Sequence, residues 1–321
     1  MLKLAGVPFI AHQIGYAKTH GITRIIVASS YKSDQFSQFL GDGSAFGVEV
    51  RYAIEREPLG TGGAIAHAGA LLESDASEPI AVLNGDVLSA HDISAQLQVH
   101  REQSADVTLH LIEVPDARAY GSVPTDSSGR ITAFVEKSDR PPTRFINAGC
   151  YLFTRKIIDQ IPHGQVISVE REIFPELLAK CRRLWSYSST SYWLDIGTPA
   201  ALLKASTDLA SGKFHSPASV DSSQRTHAHG VIIDRAAEVS ATARIGRGSV
   251  IGAAIIESAA TIQASMIGDG VQVQTGAHIS NSIIGDGVVV GSGAEVVGAV
   301  VVGADMSIAA NSRHLGELAA G

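Results

Sequence analysis

Apolar residues follow two different spacings along the chain, and the change between them divides it in two. Through residue 211, helical and strand patterns alternate. A helical pattern from Phe9 to Thr19 stops at His20-Gly21. Strands are predicted over Ile22–Ala28 and Val48–Ile54, and Gly62-Gly63 opens a predicted helix from Ala64 to Leu72. Ile80-Ala81-Val82-Leu83 is a short apolar run of the kind buried in a parallel sheet. It ends at Asn84-Gly85-Asp86, at the carboxyl end of its strand, where open α/β sheets bind ligands. Val107–Val114 and Ile131–Glu136 read as strands around the turn signal Asp126-Ser127-Ser128-Gly129. Ser168–Lys180 reads as a helix, with Glu170 and Glu172 favourable near its positive end. The alternation predicts a doubly wound α/β domain over residues 1–211.

Residues 212–230 carry four Ser and three His with single Pro and Gln residues, are poor in apolar residues, and read as a linker. From 231 to 310 a repeat takes over. Ile245, Ile262, Ile279 and Val296 are each seventeen residues apart, and Ile267, Ile284 and Val301 keep the same interval. So do Val273 and Val290, and Gly268-Asp269-Gly270 returns as Gly285-Asp286-Gly287. Within each period the apolar positions step by five or six, which no helix can gather on one face. A triangular coil can, with one inward aliphatic residue per short face and small residues at the corners. Such coils bury their apolar rows only by stacking on one another. Residues 311–321 form a tail without a usable signal.

Composition narrows the function classes. A chain of 321 residues with 45% hydrophobic and 18% charged residues supports a sizeable core. Its net charge of −7 gives no footprint for polyanions, so no nucleic-acid partner is expected. Cys150 and Cys181 are too few for a disulfide framework or a thiolate zinc site and fit a reducing cytoplasm. No signal-peptide pattern and no long uncharged apolar run is present, so no membrane partner is expected.

Several segments carry candidate chemistry. In Leu59-Gly60-Thr61-Gly62-Gly63-Ala64 the glycines expose backbone groups and let a flat ligand approach, although such turns also occur without one. Asp86 lies in Leu83-Asn84-Gly85-Asp86, and Asp195 in Trp193-Leu194-Asp195-Ile196-Gly197-Thr198-Pro199. Asp also serves as an ordinary strand-end or turn residue. Tyr120-Gly121-Ser122-Val123, Phe134-Val135-Glu136-Lys137 and Ile146-Asn147-Ala148-Gly149-Cys150-Tyr151 complete the set. In this order these motifs resemble those of the sugar-1-phosphate nucleotidyltransferases over nearly the whole chain. Ser168-Val169-Glu170-Arg171-Glu172-Ile173-Phe174-Pro175 resembles a helix start of the mannose-1-phosphate guanylyltransferase branch. The one mild departure is Ser138, where the family has Pro after Glu-Lys.

The resemblance implies a Rossmann-like nucleotidyltransferase domain followed by a left-handed parallel β-helix of hexapeptide repeats. It implies that a sugar 1-phosphate attacks a nucleoside triphosphate and expels pyrophosphate, most closely giving GDP-mannose from GTP and mannose 1-phosphate. Leu59, Gly60, Thr61, Gly62 and Gly85 would surround the nucleotide, and Gly121, Glu136, Lys137, Asn147 and Gly149 the sugar phosphate. Asp86 and Asp195 would hold Mg²⁺ and, with Lys137, form the catalytic set. Magnesium suits that implication, because it takes one or two carboxylates and completes its shell with phosphates and water. A homo-oligomer is expected from the flat apolar ends of the coil. The opening Met1-Leu2-Lys3-Leu4-Ala5-Gly6-Val7-Pro8-Phe9-Ile10 resembles the stretch that follows the family's Gly-rich phosphate loop. The expectation is that Met1 is internal, with roughly 20–30 residues before it, the size of a strand plus a loop. Three alternatives remain: a thymidylyl- or uridylyltransferase-like enzyme, a non-catalytic sugar-nucleotide-binding subunit and, weakest, a hexapeptide-repeat acyltransferase, against which stands His278, a base in some such enzymes but here in coils without their inserted loops.

Overall fold

The computed structural model describes residues 2–220, 225–301, 303 and 306–316. The chain forms two compact units, residues 17–193 and residues 1–16 with 194–321. In order, the first elements are β1 (Lys3–Leu4), β2 (Val7–Pro8), α1 (Phe9–Thr19), β3 (Arg24–Ser29), α2 (Ser33–Leu40) and β4 (Glu49–Ile54). Then come α3 (Gly60–Gly69), β5 (Pro79–Leu83), β6 (Val87–Ser89), α4 (Ile93–Glu102), β7 (Val107–Glu113), β8 (Gly121–Ser122) and β9 (Val135–Glu136). Next are β10 (Phe145–Thr154), α5 (Arg155–Ile158), α6 (Phe174–Ala179), β11 (Leu184–Ser189), β12 (Trp193–Asp195) and α7 (Pro199–Ala210).

In the unit of residues 17–193, the main sheet runs β11-β7-β10-β8-β9, and β5 also pairs with β10. β3 and β4 pair in parallel, as do β7 and β11. The apolar run of β5, expected in a parallel sheet, instead pairs antiparallel with β10. Each of its residues is half-buried, and an apolar run alone does not specify the direction of its partner. The predicted strand over Ile131–Glu136 shrinks to β9, with Ile131 making one isolated bridge to Thr125. The predicted helix from Ser168 begins as a π-helical turn over Val169–Ile173 before α6.

β7 is buried on both faces, and its alternation separates two kinds of packing. Val107, Leu109 and Leu111 join the apolar core with Tyr151, Phe153 and Phe174. Thr108 and His110 face a polar layer at α4. There His100 Nδ1 meets Thr108 Oγ1 at 2.9 Å, and Gln96 donates to the Thr108 carbonyl at 3.0 Å. The His91 and His110 rings stack 3.7 Å apart. Asp92 caps α4 by accepting from the backbone of Ser94 and Ala95.

The other unit is dominated by the coil. Apart from an antiparallel first pair, residues 225–228 with 231–234, its three sheets pair short strands in parallel, with Ile245, Ile262, Ile279 and Val296 in one register column. Ile251, Ile267, Ile284 and Val301 form a second. Val239, Ile256, Val273, Val290 and Ile308 form the third. Most of these side chains are fully buried in one continuous core. The corners are tied by polar ladders: Asp286 Oδ1 accepts from Asp269 N–H at 2.9 Å, and Ser265 Oγ from Ser282 N–H at 3.1 Å. Val250 alternates with inward Ile251, so it faces out of the coil, yet it is buried. α7 packs there and against β1. In the same unit, Ala5 N–H donates to Ser206 Oγ at 3.1 Å, and Lys3 pairs with Asp269 and, at 3.7 Å, with Asp286. Among the described residues no helix is long and apolar enough to cross a membrane.

Candidate functional site

β10 changes partners halfway along, and most of the expected site residues of its unit gather at that fork. Its first half pairs with β8 through Ile146–Ser122, and its second half pairs with β5 from Cys150 to Thr154. Between Asn147 and Tyr151 its register with β7 also shifts, the mark of a bulge. Gly149 sits in that bulge with φ +74°, and a Cβ there would lie 2.9 Å from the Asn84 side chain. Asn84 N–H donates to the Gly149 carbonyl at 2.8 Å, fixing the start of the Asn84-Gly85-Asp86 turn against β10. Gly85 and Asp86 are exposed in that turn. Asn147 spans the bulge: its Oδ1 accepts from Gly149 N–H at 3.1 Å, and its Nδ2 donates to Tyr151 OH at 2.7 Å. Trp193 Nε1 donates to the Ala148 carbonyl at 2.9 Å, and the indole meets Tyr120 edge-on at 5.7 Å.

Gly121 and Glu136 face each other across β8 and β9. A Cβ on Gly121 would come within 2.7 Å of Glu136 Oε2, so only glycine leaves the carboxylate its place. Burial pushes the Glu136 carboxyl up from the ordinary glutamate range. The Glu170 charge pushes the same way, and Lys137 and Arg171 oppose it. Lys137 is exposed and adopts φ +41°, an uncommon conformation for a lysine.

The Gly-rich segment forms the first turn of α3. A Cβ on Gly60, whose φ is +70°, would lie 2.6 Å from the Ile167 carbonyl oxygen. That oxygen accepts from Gly62 N–H at 2.8 Å, and Ile167 N–H donates to the Leu59 carbonyl at 2.9 Å. These glycines therefore admit the chain's own backbone as well as exposing theirs. Thr61 is exposed but pinned, donating to Glu170 Oε2 at 2.8 Å and accepting from Val169 N–H at 2.8 Å. Glu170 also accepts from Ser168 Oγ at 3.0 Å and from Tyr151 OH at 3.3 Å. Sequence reasoning gave Glu170 only a helix-end role. Its signal lies in the contacts of Glu170 with Thr61 and Tyr151, which no local pattern contains.

Asp195 belongs to the other unit, half-buried, with its Oδ1 accepting from Gly197 N–H at 2.8 Å. No group of three or more His, Cys, Asp or Glu side chains suited to a metal occurs among the described residues. Taken singly, the Asp86 and Asp195 carboxylates are oxygen donors of the kind a hard cation accepts alongside phosphates and water.

The nucleotidyl transferase family pattern matches residues 1–212, and that of the GMPPB C-terminal domain matches residues 227–314. The chain is similar to the mannose-1-phosphate guanylyltransferase of Mycobacterium tuberculosis, 44% identical over 276 residues. That match covers 85% of this chain and 74% of the relative. It is 33% identical over 204 residues to the mannose-1-phosphate guanylyltransferase catalytic subunit beta of Drosophila melanogaster, spanning 63% of this chain and 54% of that protein. Among solved structures it resembles HddC from Yersinia pseudotuberculosis, with a TM-score of 0.57 and 31% identity. The likeness covers 65% of this chain and 88% of that one, and HddC is also known complexed with GMP-PN.

Proposed function

The chain belongs to the nucleotidyl transferase family, and on that footing we propose that it joins GTP to mannose 1-phosphate, forming GDP-mannose and releasing pyrophosphate. The observation that carries this reading is the 44% identity to a guanylyltransferase over 85% of the chain. The GMP-PN complex of the HddC relative supports the guanine nucleotide. The fork at β10 supports a sugar-phosphate site, because the Glu136 carboxylate and the further hydrogen-bonding capacity of the Asn147 amide suit hydroxyls, beside the glycines at 121 and 149.

In this reading a phosphate oxygen of the sugar 1-phosphate attacks the α-phosphorus of the triphosphate in line, and pyrophosphate departs. No covalent enzyme intermediate is needed, so the protein contributes positioning and neutralisation of charge. Lys137 balances the phosphate of the nucleophile, while Glu136 accepts sugar hydroxyls and Asn147 reads another. Leu59 to Gly62 and Gly85 border the nucleotide. Asp86 and Asp195 are the residues that would hold Mg²⁺, whose chemistry when bound is to draw charge from the phosphates and fix their mutual orientation. A cytoplasmic setting and a homo-oligomer belong to the same proposal. Two unpaired cysteines, one buried and one exposed, support the first, and Val300 and Leu315, exposed near the last turn of the coil, support the second.

The test is pyrophosphate release with Mg²⁺, mannose 1-phosphate and a panel of nucleoside triphosphates. Release fastest with GTP, and reduced at least about a hundredfold in Asp86→Ala, is expected. Preference for dTTP or UTP would move the reading to a thymidylyl- or uridylyltransferase. Silence with every triphosphate, accompanied by tight binding of GDP-mannose, would favour a non-catalytic sugar-nucleotide-binding subunit.

A further inference from the structure

We propose that Glu170 is a positioning residue that ties the nucleotide-side segment to the sugar-side segment, through Thr61 on one carboxylate oxygen and Tyr151 on the other. The inference rests on the function proposed above for those two segments and adds a coupling between them.

The hydrogen bonds form one directed chain. Gly149 N–H donates to Asn147 Oδ1, Asn147 Nδ2 to Tyr151 OH, and Tyr151 OH to Glu170 Oε1. From the other side Thr61 Oγ1 donates to Glu170 Oε2. Every donor points toward the same carboxylate, so one ionised group strengthens both arms, as hydrogen bonds to a charged acceptor exceed neutral ones. Both hydroxyls are committed. Thr61 also accepts from Val169 N–H, and Tyr151 also accepts from Asn147, so neither is free to turn away. Tyr151 is fully buried, which makes an unsatisfied phenol costly and holds the chain in place.

A second observation concerns the backbone that presents Glu170. Val169–Ile173 is a π-helical turn, with Ile173 N–H reaching the Ser168 carbonyl at 3.3 Å. Such turns are rare and concentrate at functional sites. Ser168 caps it by accepting from Arg171 N–H, Glu172 Oε1 accepts from Ser168 N–H at 2.8 Å, and the capping Ser168 Oγ itself donates to Glu170 Oε2 at 3.0 Å. Glu170 thus braces its own turn through Ser168 while reaching outward to Thr61 and Tyr151 with the same carboxylate.

The experiment is a double-substitution cycle with Thr61→Val and Glu170→Gln, read on the KM for mannose 1-phosphate. Thr61 lies on the nucleotide side, so an independent Thr61 would leave that constant unchanged. Coupling through Glu170 predicts that Thr61→Val raises it about tenfold, that Thr61→Ser restores it, and that Thr61→Val adds nothing in the Glu170→Gln background. Amide exchange over residues 147–151 in the same variants without substrate gives a readout independent of turnover. Exchange there that quickens in Thr61→Val but not in Thr61→Ser supports the coupling even in an inactive protein. Additive KM changes, or unchanged exchange where there is no turnover, overturn it. Wild-type protein that releases no pyrophosphate would instead count against the proposed function alone.

Discussion

Glu136 illustrates how a single carboxyl is set by its surroundings. Burial is the largest cause of its raised pKa, Glu170 adds to the rise, and Lys137 and Arg171 only partly offset it. A glutamate that accepts sugar hydroxyls must be ionised to do so fully. Its binding contribution is therefore present above the raised pKa and lost as pH falls through it, at a higher pH than an ordinary glutamate of 4.5 would show. The expected outcome is an acid limb in kcat/KM for mannose 1-phosphate that lies above that value and disappears in Glu136→Gln. A limb that persists in the variant would remove Glu136 from this role. Gly149 shows the same dependence on neighbours, since its positive φ and its contact with Asn84 matter only because β10 bulges where β5 ends. The sequence offered Asn147, Gly149, Glu136 and Gly121 as site residues by motif. That Glu170 joins them was not legible there, because its partner Thr61 is 109 residues away.

At the scale of elements, the coil is where sequence and structure agree most closely. Each inward aliphatic residue meets another one turn on, so the repeat interval is itself a statement of tertiary contact. Neighbouring positions then differ sharply. Ile256 is 1% exposed and lies within the stack, while Ile255 beside it is 42% exposed. Ile256→Ala is expected to cost about 2–5 kcal/mol, through lost burial and a cavity, and Ile255→Ala within about 0.5 kcal/mol. Urea titrations of the two variants check this, and equal midpoints would contradict the stacked column. The serine and aspartate ladders were not anticipated, because small polar residues at corners read as turn formers whether or not they bond to the next coil. The sheet of the other unit was legible in its elements but not in its pairing. An apolar run such as β5 states that a strand is partly buried, and leaves open whether its neighbour runs with it or against it.

For the whole molecule, the units of packing do not follow the matched family segments. α7 lies inside the 1–212 match, yet it belongs with the coil and buries Leu202, Leu203 and Leu209. A chain ended after Ser211 would lack the coil strand Val250–Ile251 against which α7 packs, and it is expected to aggregate more than the full chain. Sedimentation of the two at equal concentration decides this, and a dispersed short chain would show that α7 finds other cover. The sequence by itself determined the kinds of element, the repeat of the coil and the motifs that place the chain in its family. All of these are written in local spacing, where a residue's burial follows from the pitch of its own helix, strand or coil. Only the tertiary structure decided that β10 forks between β5 and β8, that Glu170 gathers Thr61 and Tyr151, and that α7 seals the outer face of the coil at Val250. Those outcomes depend on which distant segments meet, and burial pattern alone carries no address for a partner.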